Sequence, residues 1–198
     1  MSQFWIAANG RSGTLWLATT LNYSLTHTVR HEEAENNHNN DFYYSPFPIH
    51  RWYHKPNYGE CHGFLRRYLS PNYPGLERLI PNRFILLRNK KDIIRSWMNR
   101  ENVQEFELSW IVFQVCKIEK FLLDYQKSDK ECEILLFEEL ITFKLQKLVD
   151  KLELKFTVTE EMRTRKLNET KEYKWDWSVQ SLKVYDIMSE KHGDKGGY

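Results

Sequence analysis

Short apolar runs alternate with longer stretches of helical periodicity along this chain. Three runs are typical of buried strands, Phe4–Ala8, Arg83–Leu87 and Glu133–Phe137, and Thr26–Arg30 is a possible fourth. Strands that alternate with helices form βαβ units, which bring successive strands together in parallel. The pattern therefore predicts an α/β fold with a central parallel sheet.

The predicted helices carry apolar residues at steps of three and four. They are Thr14–Leu21, a short helix over Cys61–Leu69, then Lys90–Arg100, Glu105–Lys127, Glu138–Lys151 and Val179–Lys191. An irregular stretch from His31 to Gly59 separates the first two main strands; it begins polar and turns aromatic. Such a long insertion in a compact domain is usually functional, and its rings, Phe42 to Tyr58, suggest the wall of a pocket for a ring or a sugar.

Composition limits what the chain can be. Its 198 residues, 41% apolar and 28% charged, suit a single globular domain over residues 1–198. A formal net charge of +2 argues against binding to bulk nucleic acid or to an anionic membrane. The cysteines, Cys61, Cys116 and Cys132, lack metal-type spacing, and the first strand begins too early for a signal peptide. We expect reduced thiols and a cytoplasmic protein.

The loop after the first strand carries the strongest chemical signal. Asn9-Gly10-Arg11-Ser12-Gly13 joins a buried strand to a helix that begins at Thr14, a geometry that directs backbone N–H groups and the helix dipole at one anion. Glycine lets the backbone approach that anion closely. The sequence predicts a cradle for phosphate or sulfate, formed by Gly10, Arg11, Ser12, Gly13, Thr14 and Leu15.

This loop differs from the nucleoside-triphosphate loop of kinases. That loop has four residues between its glycines, followed by Lys and Ser or Thr. Here only Arg11-Ser12 lies between the glycines, and Leu15 follows Thr14. The anion is therefore phosphate-like, whereas the residues that would hold a triphosphate and magnesium are missing.

A second candidate anion site lies in Arg83–Arg100. Arg88 ends the second main strand, and Ser96 follows two turns into the next predicted helix, on the same face as Asp92. A guanidinium and a hydroxyl that converge in this way can hold an anion separate from the first.

These motifs together resemble those of the sulfotransferases that use 3′-phosphoadenosine 5′-phosphosulfate (PAPS). The segment from Arg11 to Trp16 resembles the 5′-phosphosulfate loop of that family, Lys/Arg-Ser-Gly-Thr-Thr-Trp. Arg88 to Asp92, with Ser96, resembles its 3′-phosphate motif, Arg-Asn-Pro-x-Asp with a serine eight residues past the arginine. Leu136 to Leu140 is similar to a third landmark, Tyr-Glu-Asp-Leu.

The resemblance implies a fold and a reaction. The fold is a three-layer α/β/α sandwich like that of P-loop proteins, and the reaction moves a sulfuryl group from PAPS to an acceptor, without a metal, leaving adenosine 3′,5′-bisphosphate (PAP). Arg11 would stabilise negative charge on the bridging oxygen. Leu15 departs from the pattern because it replaces a threonine hydroxyl, and Lys90 departs because it replaces proline.

A base must also take the proton of the acceptor. Glu32, 21 residues after Arg11, resembles the catalytic glutamate that some relatives carry at a similar interval, and its neighbours His31 and Glu33 are alternatives. His62 is a further candidate, because many relatives use a histidine between the two anion motifs.

Other assignments stay open at the level of sequence. Glu138 is expected to support the anion loop by hydrogen bonding. The basic stretch Arg163 to Lys166 is expected to reach the 3′-phosphate or form an exposed turn, and Trp175 and Trp177 to stack on adenine or to cap the core. The acceptor is a small molecule or a carbohydrate, and the oligomeric state is not indicated. A P-loop kinase and a noncatalytic nucleotide-binding module are the alternative functions.

Overall fold

Five parallel strands form the central sheet. The computed structural model describes residues 3–31, 57–63, 80–100, 103–165 and 175–192. Its sheet has the order β2-β3-β1-β4-β5, and all four neighbouring pairs are parallel. The strands are β1 (Phe4–Ala8), β2 (Thr28–His31), β3 (Tyr58–His62), β4 (Asn82–Leu87) and β5 (Cys132–Leu136).

The helices connect these strands and cover the sheet. They are α1 (Thr14–Leu21), α2 (Lys90–Met98), α3 (Leu108–Ser128), α4 (Phe137–Glu139), α5 (Leu145–Lys151), α6 (Glu160–Thr164) and α7 (Val179–His192). A 3-10 turn, Glu105–Glu107, precedes α3, and a π-helical segment, Leu140–Lys144, joins α4 to α5. The helices predicted over these regions are confirmed. Helix α1 has the predicted bounds, and α2 and α7 differ from the prediction by one or two residues at one end. The helices predicted over Glu105–Lys127 and Glu138–Lys151 are each divided into shorter segments.

Side chains on the two faces of β1 pack against different helix layers. Phe4, Ile6 and Ala8 belong to a cluster with residues of α1 and α5. Trp5 and Ala7 belong to a second cluster with residues of α3. All five residues of β1 are at most 1% exposed, as in a parallel sheet that is covered on both faces. The predicted three-layer α/β/α sandwich is therefore confirmed.

Strand β3 corrects two predictions. We expected an irregular chain up to Gly59 and a helix from Cys61 to Leu69, but Tyr58–His62 is a strand between β2 and β1. Residues 64–69 of the predicted helix lie outside the described residues. Gly59 pairs with Phe4, and a Cβ at Gly59 would lie 2.0 Å from the Phe4 ring. The strand forms because β1 and β2 both pair with it through backbone hydrogen bonds, and because Gly59 has no Cβ and so leaves space for the Phe4 ring.

A buried ion pair joins β4 to the end of α3, at the amino end of the sheet. Arg83 donates from Nε and Nη2 to the Asp129 carboxylate at 2.8 and 3.0 Å, and from Nη1 to the Ile80 carbonyl at 2.6 Å. Arg83 and Asp129 are 3% and 6% exposed. The pair is satisfied by these hydrogen bonds, so it holds the edge of the sheet that lies opposite the candidate site.

Candidate functional site

The candidate site lies where β1 and β4 end side by side. In the sheet, β2 and β3 lie on one side of β1, and β4 and β5, which follow in the chain, lie on the other side. The loops after β1 and β4 therefore diverge to opposite sides and leave a crevice between them. In open parallel sheets ligands bind in such a crevice, at the carboxyl ends of the strands.

The loop after β1 is held in a compact left-handed turn. The buried Asn9 donates from Nδ2 to the Val115 carbonyl of α3 at 3.1 Å, and the Ser12 amide donates to the Asn9 carbonyl at 3.2 Å. Arg11 and Gly13 both have left-handed backbones, with φ of 70° and 89°. A left-handed Arg11 is unfavourable for a residue with a side chain, and such conformations concentrate at functional sites.

The loop leads directly into the N-terminus of α1. Gly13 is the residue before the helix, and no side chain caps its first turn. The first intrahelical bond runs from the Leu17 amide to the Gly13 carbonyl, so the amides of Thr14, Leu15 and Trp16 have no intrahelical acceptor. Unsatisfied amides and the positive end of the dipole at a helix N-terminus are suited to an anion, so the anion cradle stays a prediction for this loop.

The second anion motif is in direct contact with this loop. Arg11 donates from Nε to the Ser96 hydroxyl at 3.1 Å, and Arg88 donates from Nη1 to the Arg11 carbonyl at 3.1 Å. The structure thus brings together Arg11, Arg88 and Ser96, which lie up to 85 residues apart in the chain. Sequence reasoning placed the two motifs in one site but did not predict that their side chains would touch.

Two buried polar atoms in this site lack a hydrogen-bond partner among the described residues. They are the Ser12 hydroxyl oxygen, in a side chain that is 0% exposed, and Nε of Arg88. Buried polar groups are nearly always hydrogen-bonded in native proteins, so an unsatisfied one calls for an explanation such as a bound ligand. A donor and a hydroxyl next to a helix N-terminus are chemically suited to an anion.

The segment after β5 supports both motifs. The Phe137 ring packs edge-on against Trp16, with 5.4 Å between ring centroids, and lies 4.8 Å from the Arg88 guanidinium carbon. Glu138 accepts a hydrogen bond from the Asn89 amide at 2.9 Å. This hydrogen bond supports the turn before α2, while support of the anion loop by Glu138 stays a prediction; the contacts of Phe137 had no signal in the sequence.

The base candidates are only partly described. His31 ends β2, and its Nε2 is hydrogen-bonded to the Thr14 hydroxyl at 3.0 Å, so this imidazole lies beside the cradle. Glu32 and Glu33 lie outside the described residues. His62 ends β3, the neighbour of β1, but its side chain is outside the described part of the structure.

The late basic and aromatic residues contact other parts of the fold, and a contact of the basic stretch with the 3′-phosphate stays a prediction. Arg163 donates to the Thr142 carbonyl at 3.1 Å, Arg165 donates to the Tyr23 hydroxyl at 2.8 Å, and Lys166 is not described. Trp175 and Trp177 pack against each other and against the cluster formed by α2, α3 and α7. In the described structure both rings contribute to that core, and contact with adenine stays a prediction.

Lys90 at the start of α2 forms a second ion pair near the site. Its ammonium donates to the Glu119 carboxylate at 2.8 Å, and Glu119 is 6% exposed. Burial alone would lower the pKa of Lys90, but the hydrogen bond to Glu119 and its charge raise that pKa above the usual value. Lys90 stands where the resembled motif has proline, and the structure shows that it fixes the first turn of α2 to α3.

The three thiols are buried and make no disulfide. Burial raises the pKa of Cys132 to about 12, and it also raises the pKa values of Cys61 and Cys116. A thiol with such a pKa is a poor nucleophile at neutral pH.

The described residues contain no group of three or more His, Cys, Asp or Glu side chains able to hold a metal ion. Within the same ranges, no helix combines the length and apolarity needed to cross a bilayer.

Two solved structures are similar to this chain over nearly its whole length. Mouse sulfotransferase SULT7A1 complexed with PAP matches with a TM-score of 0.62 and 13% identity, over 96% of this chain and 84% of that one. The sulfotransferase from Alicyclobacillus acidocaldarius matches with a TM-score of 0.54 and 13% identity, over 98% and 97%. No protein-family model and no curated protein sequence matches the chain. The chain therefore has the fold of these two sulfotransferases, which confirms the fold that the sequence motifs imply.

Proposed function

We propose that this protein is a sulfotransferase that moves a sulfuryl group from PAPS to a hydroxyl or amine of a small-molecule or carbohydrate acceptor. The observation that carries the proposal is the contact between the two anion motifs, through Arg11 with Ser96 and Arg88 with the Arg11 carbonyl. This contact supports a site with two anion-binding groups, as a nucleotide with phosphates at both its 3′ and 5′ positions requires. The mouse neighbour, which was solved with PAP, supports this choice.

The residues of the crevice fit such a ligand. The unsatisfied Ser12 hydroxyl and Arg88 Nε are suited to phosphate oxygens. In the proposal, Gly10 and the loop through Leu15 hold the 5′-phosphosulfate, while Arg88 and Ser96 hold the 3′-phosphate. Leu15 has no hydroxyl to offer, so we assign its contact to the backbone amide.

Arg11 is the proposed stabiliser of the transition state. When bound, PAPS supplies an activated sulfuryl group, and negative charge then grows on the oxygen that bridges to the 5′-phosphate. A guanidinium has five N–H donors, so Arg11 can bond to Ser96 and to that oxygen at the same time. It does not donate a proton, and a phosphate leaving group needs none. Because a sulfuryl group carries less charge than a phosphoryl group, the proposal includes no metal.

Glu32 is the proposed base, with His31, Glu33 and His62 as the alternatives. Glu32 directly follows His31, whose ring lies at the cradle, so the end of β2 leads to the position where the acceptor must approach. The base takes the proton of the acceptor as the bond between acceptor and sulfur forms. Glu32→Gln is expected to lower kcat by about 100-fold or more with little change in PAP affinity. Full turnover by this variant would move the role to one of the alternatives.

The donor site can be tested by calorimetry with PAP and with 5′-AMP. Arg88→Ala is expected to weaken PAP by about 10- to 100-fold, because a charge-assisted hydrogen bond is lost, and to weaken 5′-AMP far less, because 5′-AMP has no 3′-phosphate. Arg100→Ala, which removes an exposed arginine just past the end of α2, is the matched control. Absence of PAP binding at millimolar concentration would refute the proposal, and equal losses for both ligands would refute the assignment of Arg88.

The alternatives make different predictions. A kinase would bind ATP in a magnesium-dependent way, and the comparisons with solved structures do not favour it. A noncatalytic module would bind PAP, yet it would not release PAP from PAPS in an acceptor-dependent reaction. Mass spectrometry of a panel of phenols, amines and sugars incubated with PAPS distinguishes these outcomes, because each transfer adds one sulfuryl group to the acceptor.

A further inference from the structure

Phe137 touches both anion motifs at once. It is the first residue after β5, and its half-buried ring lies 4.8 Å from the guanidinium carbon of Arg88 and edge-on to Trp16 at 5.4 Å. Arg88 belongs to the motif after β4, and Trp16 belongs to the first turn of α1, behind the anion loop. One side chain therefore lies between two segments that are more than 70 residues apart.

The contact with the loop is close. An added Cβ at Gly13 would lie 2.3 Å from Cε2 and 2.8 Å from Cδ2 of Phe137. The ring therefore occupies the space that any other residue at this position would use. Because Gly13 is left-handed and directly precedes α1, the ring helps to fix the turn that aims the amides of Thr14 and Leu15.

The next residue extends the same contact to the other motif. Glu138 accepts a hydrogen bond from the amide of Asn89, the residue that directly follows Arg88 and precedes α2. Asn89 in turn accepts from the Lys91 amide at 2.9 Å and so begins α2, the helix that carries Ser96. Ring and carboxylate together hold the guanidinium and the turn of the second motif.

We infer that Phe137 is a positioning residue that couples the two anion sites, so that each phosphate binds more tightly when the other is present. This inference rests on the proposed function. A cation–π contact with a ring fixes both the orientation and the position of a guanidinium. A shift of the ring moves the guanidinium of Arg88 and the backbone of Gly13 together, so an anion that orders one motif through the ring also orders the other.

The coupling is measured with four ligands, PAP, 5′-AMP, 3′-AMP and adenosine. The ratio of the 5′-AMP and PAP dissociation constants gives the gain from the 3′-phosphate when the 5′-phosphate is present, and the ratio for adenosine and 3′-AMP gives the same gain when it is absent. The first ratio divided by the second is the coupling factor, which exceeds one if each phosphate helps the other to bind. In Phe137→Leu we expect the coupling factor to fall severalfold toward one. Phe137→Tyr keeps the ring and is expected to preserve the coupling factor.

Phe143→Leu is the matched control, because that phenylalanine lies in the following π-helical segment with its side chain 59% exposed. It should not change the coupling factor. If Phe137→Leu lowers the melting temperature but leaves all four dissociation constants unchanged, Phe137 only packs, and the inference is wrong. If PAP binds more weakly while the coupling factor keeps its value, Phe137 positions the motifs independently and the coupling is refuted. Failure of the unmodified protein to bind PAP would overturn the proposed function as well, so the two failures are distinguishable.

Discussion

Replacing Gly13 by alanine tests the geometry of the anion loop most directly. Two effects add at this position. The left-handed backbone, with φ of 89°, costs a residue with a Cβ about 1–2 kcal/mol. The new methyl group would also lie 2.3 Å from the Phe137 ring, about 1 Å inside ordinary van der Waals contact.

The ring has little freedom to make room. Trp16 packs against it edge-on, and Arg88 lies over its face. Overpacking of this kind costs about 1–3 kcal/mol, so Gly13→Ala is expected to lower the free energy of unfolding by about 2–5 kcal/mol. Since a domain of this size is stable by about 5–15 kcal/mol, urea unfolding at 25 °C followed by circular dichroism resolves the change.

A double-mutant cycle separates the two effects. In a Phe137→Ala background the steric part is removed, so Gly13→Ala should cost only the backbone part, about 1–2 kcal/mol. The difference between the two backgrounds measures the clash. Equal costs in both backgrounds would refute the steric reasoning, and a loss below about 1 kcal/mol in the unmodified background would refute the backbone reasoning as well.

Three further perturbations test other features. Asp129→Asn removes the buried carboxylate from Arg83, which keeps its salt bridge to the exposed Glu131 at 2.7 Å, and is expected to lower the free energy of unfolding by about 1–3 kcal/mol in urea titrations. The hydrogen bond to Glu119 raises the pKa of Lys90 in the folded protein. The stabilisation from this pair is therefore fully present below the pKa of lysine in the unfolded chain and is lost as the pH rises through the pKa of Lys90 in the folded protein. Lys90→Met should reduce the loss of stability with rising pH on the alkaline side. Burial raises the pKa of Cys132 to about 12, so native protein at neutral pH should resist alkylation there, as measured by mass spectrometry.

Each of these has a control within the chain. Asp124→Asn removes a half-exposed carboxylate that pairs with Lys120 and Lys127 on the surface of α3, and it should cost less than about 1 kcal/mol. Lys120→Met should leave the alkaline limb unchanged. Rapid alkylation of Cys132 without denaturant would contradict the buried position of that thiol, and losses of equal size for Asp129→Asn and Asp124→Asn would contradict the role of the buried pair.

The parts predicted well from sequence are those with a local cause. Five apolar residues, a loop with two glycines and a helical apolar run predict β1, the cradle and α1, and the observed bounds, Phe4–Ala8 and Thr14–Leu21, agree with the pattern. The Arg88 and Ser96 spacing also has a local cause, because a strand end and a helix two turns long place both at one edge. These segments form the centre of the sheet and the two proposed anion motifs.

The parts that were missed depend on distant partners. Tyr58–His62 has one glycine and no β-branched residue, so nothing local favours a strand, and it forms because β1 and β2 bond to it on both sides. The contacts of Phe137 with Arg88 and Gly13 likewise join segments from three regions of the chain. Such packing follows from the assembled sheet, and a single sequence holds no pattern that reports it.

The central position of β1 has a consequence for biosynthesis. Its pairing partners lie far downstream, with Gly59 about 55 residues after Phe4 and Asn82 about 78 residues after it. At about 5–20 residues per second, the ribosome needs about 3–11 seconds to pass from β1 to β3 and about 4–16 seconds to reach β4. The apolar segment Phe-Trp-Ile-Ala-Ala therefore has no partner strand until β3 is made and lacks its second partner until β4 is made. The anion loop is thus synthesised early but reaches its folded geometry late. Nascent chains of this protein are expected to depend on chaperones until β4 has emerged from the ribosome.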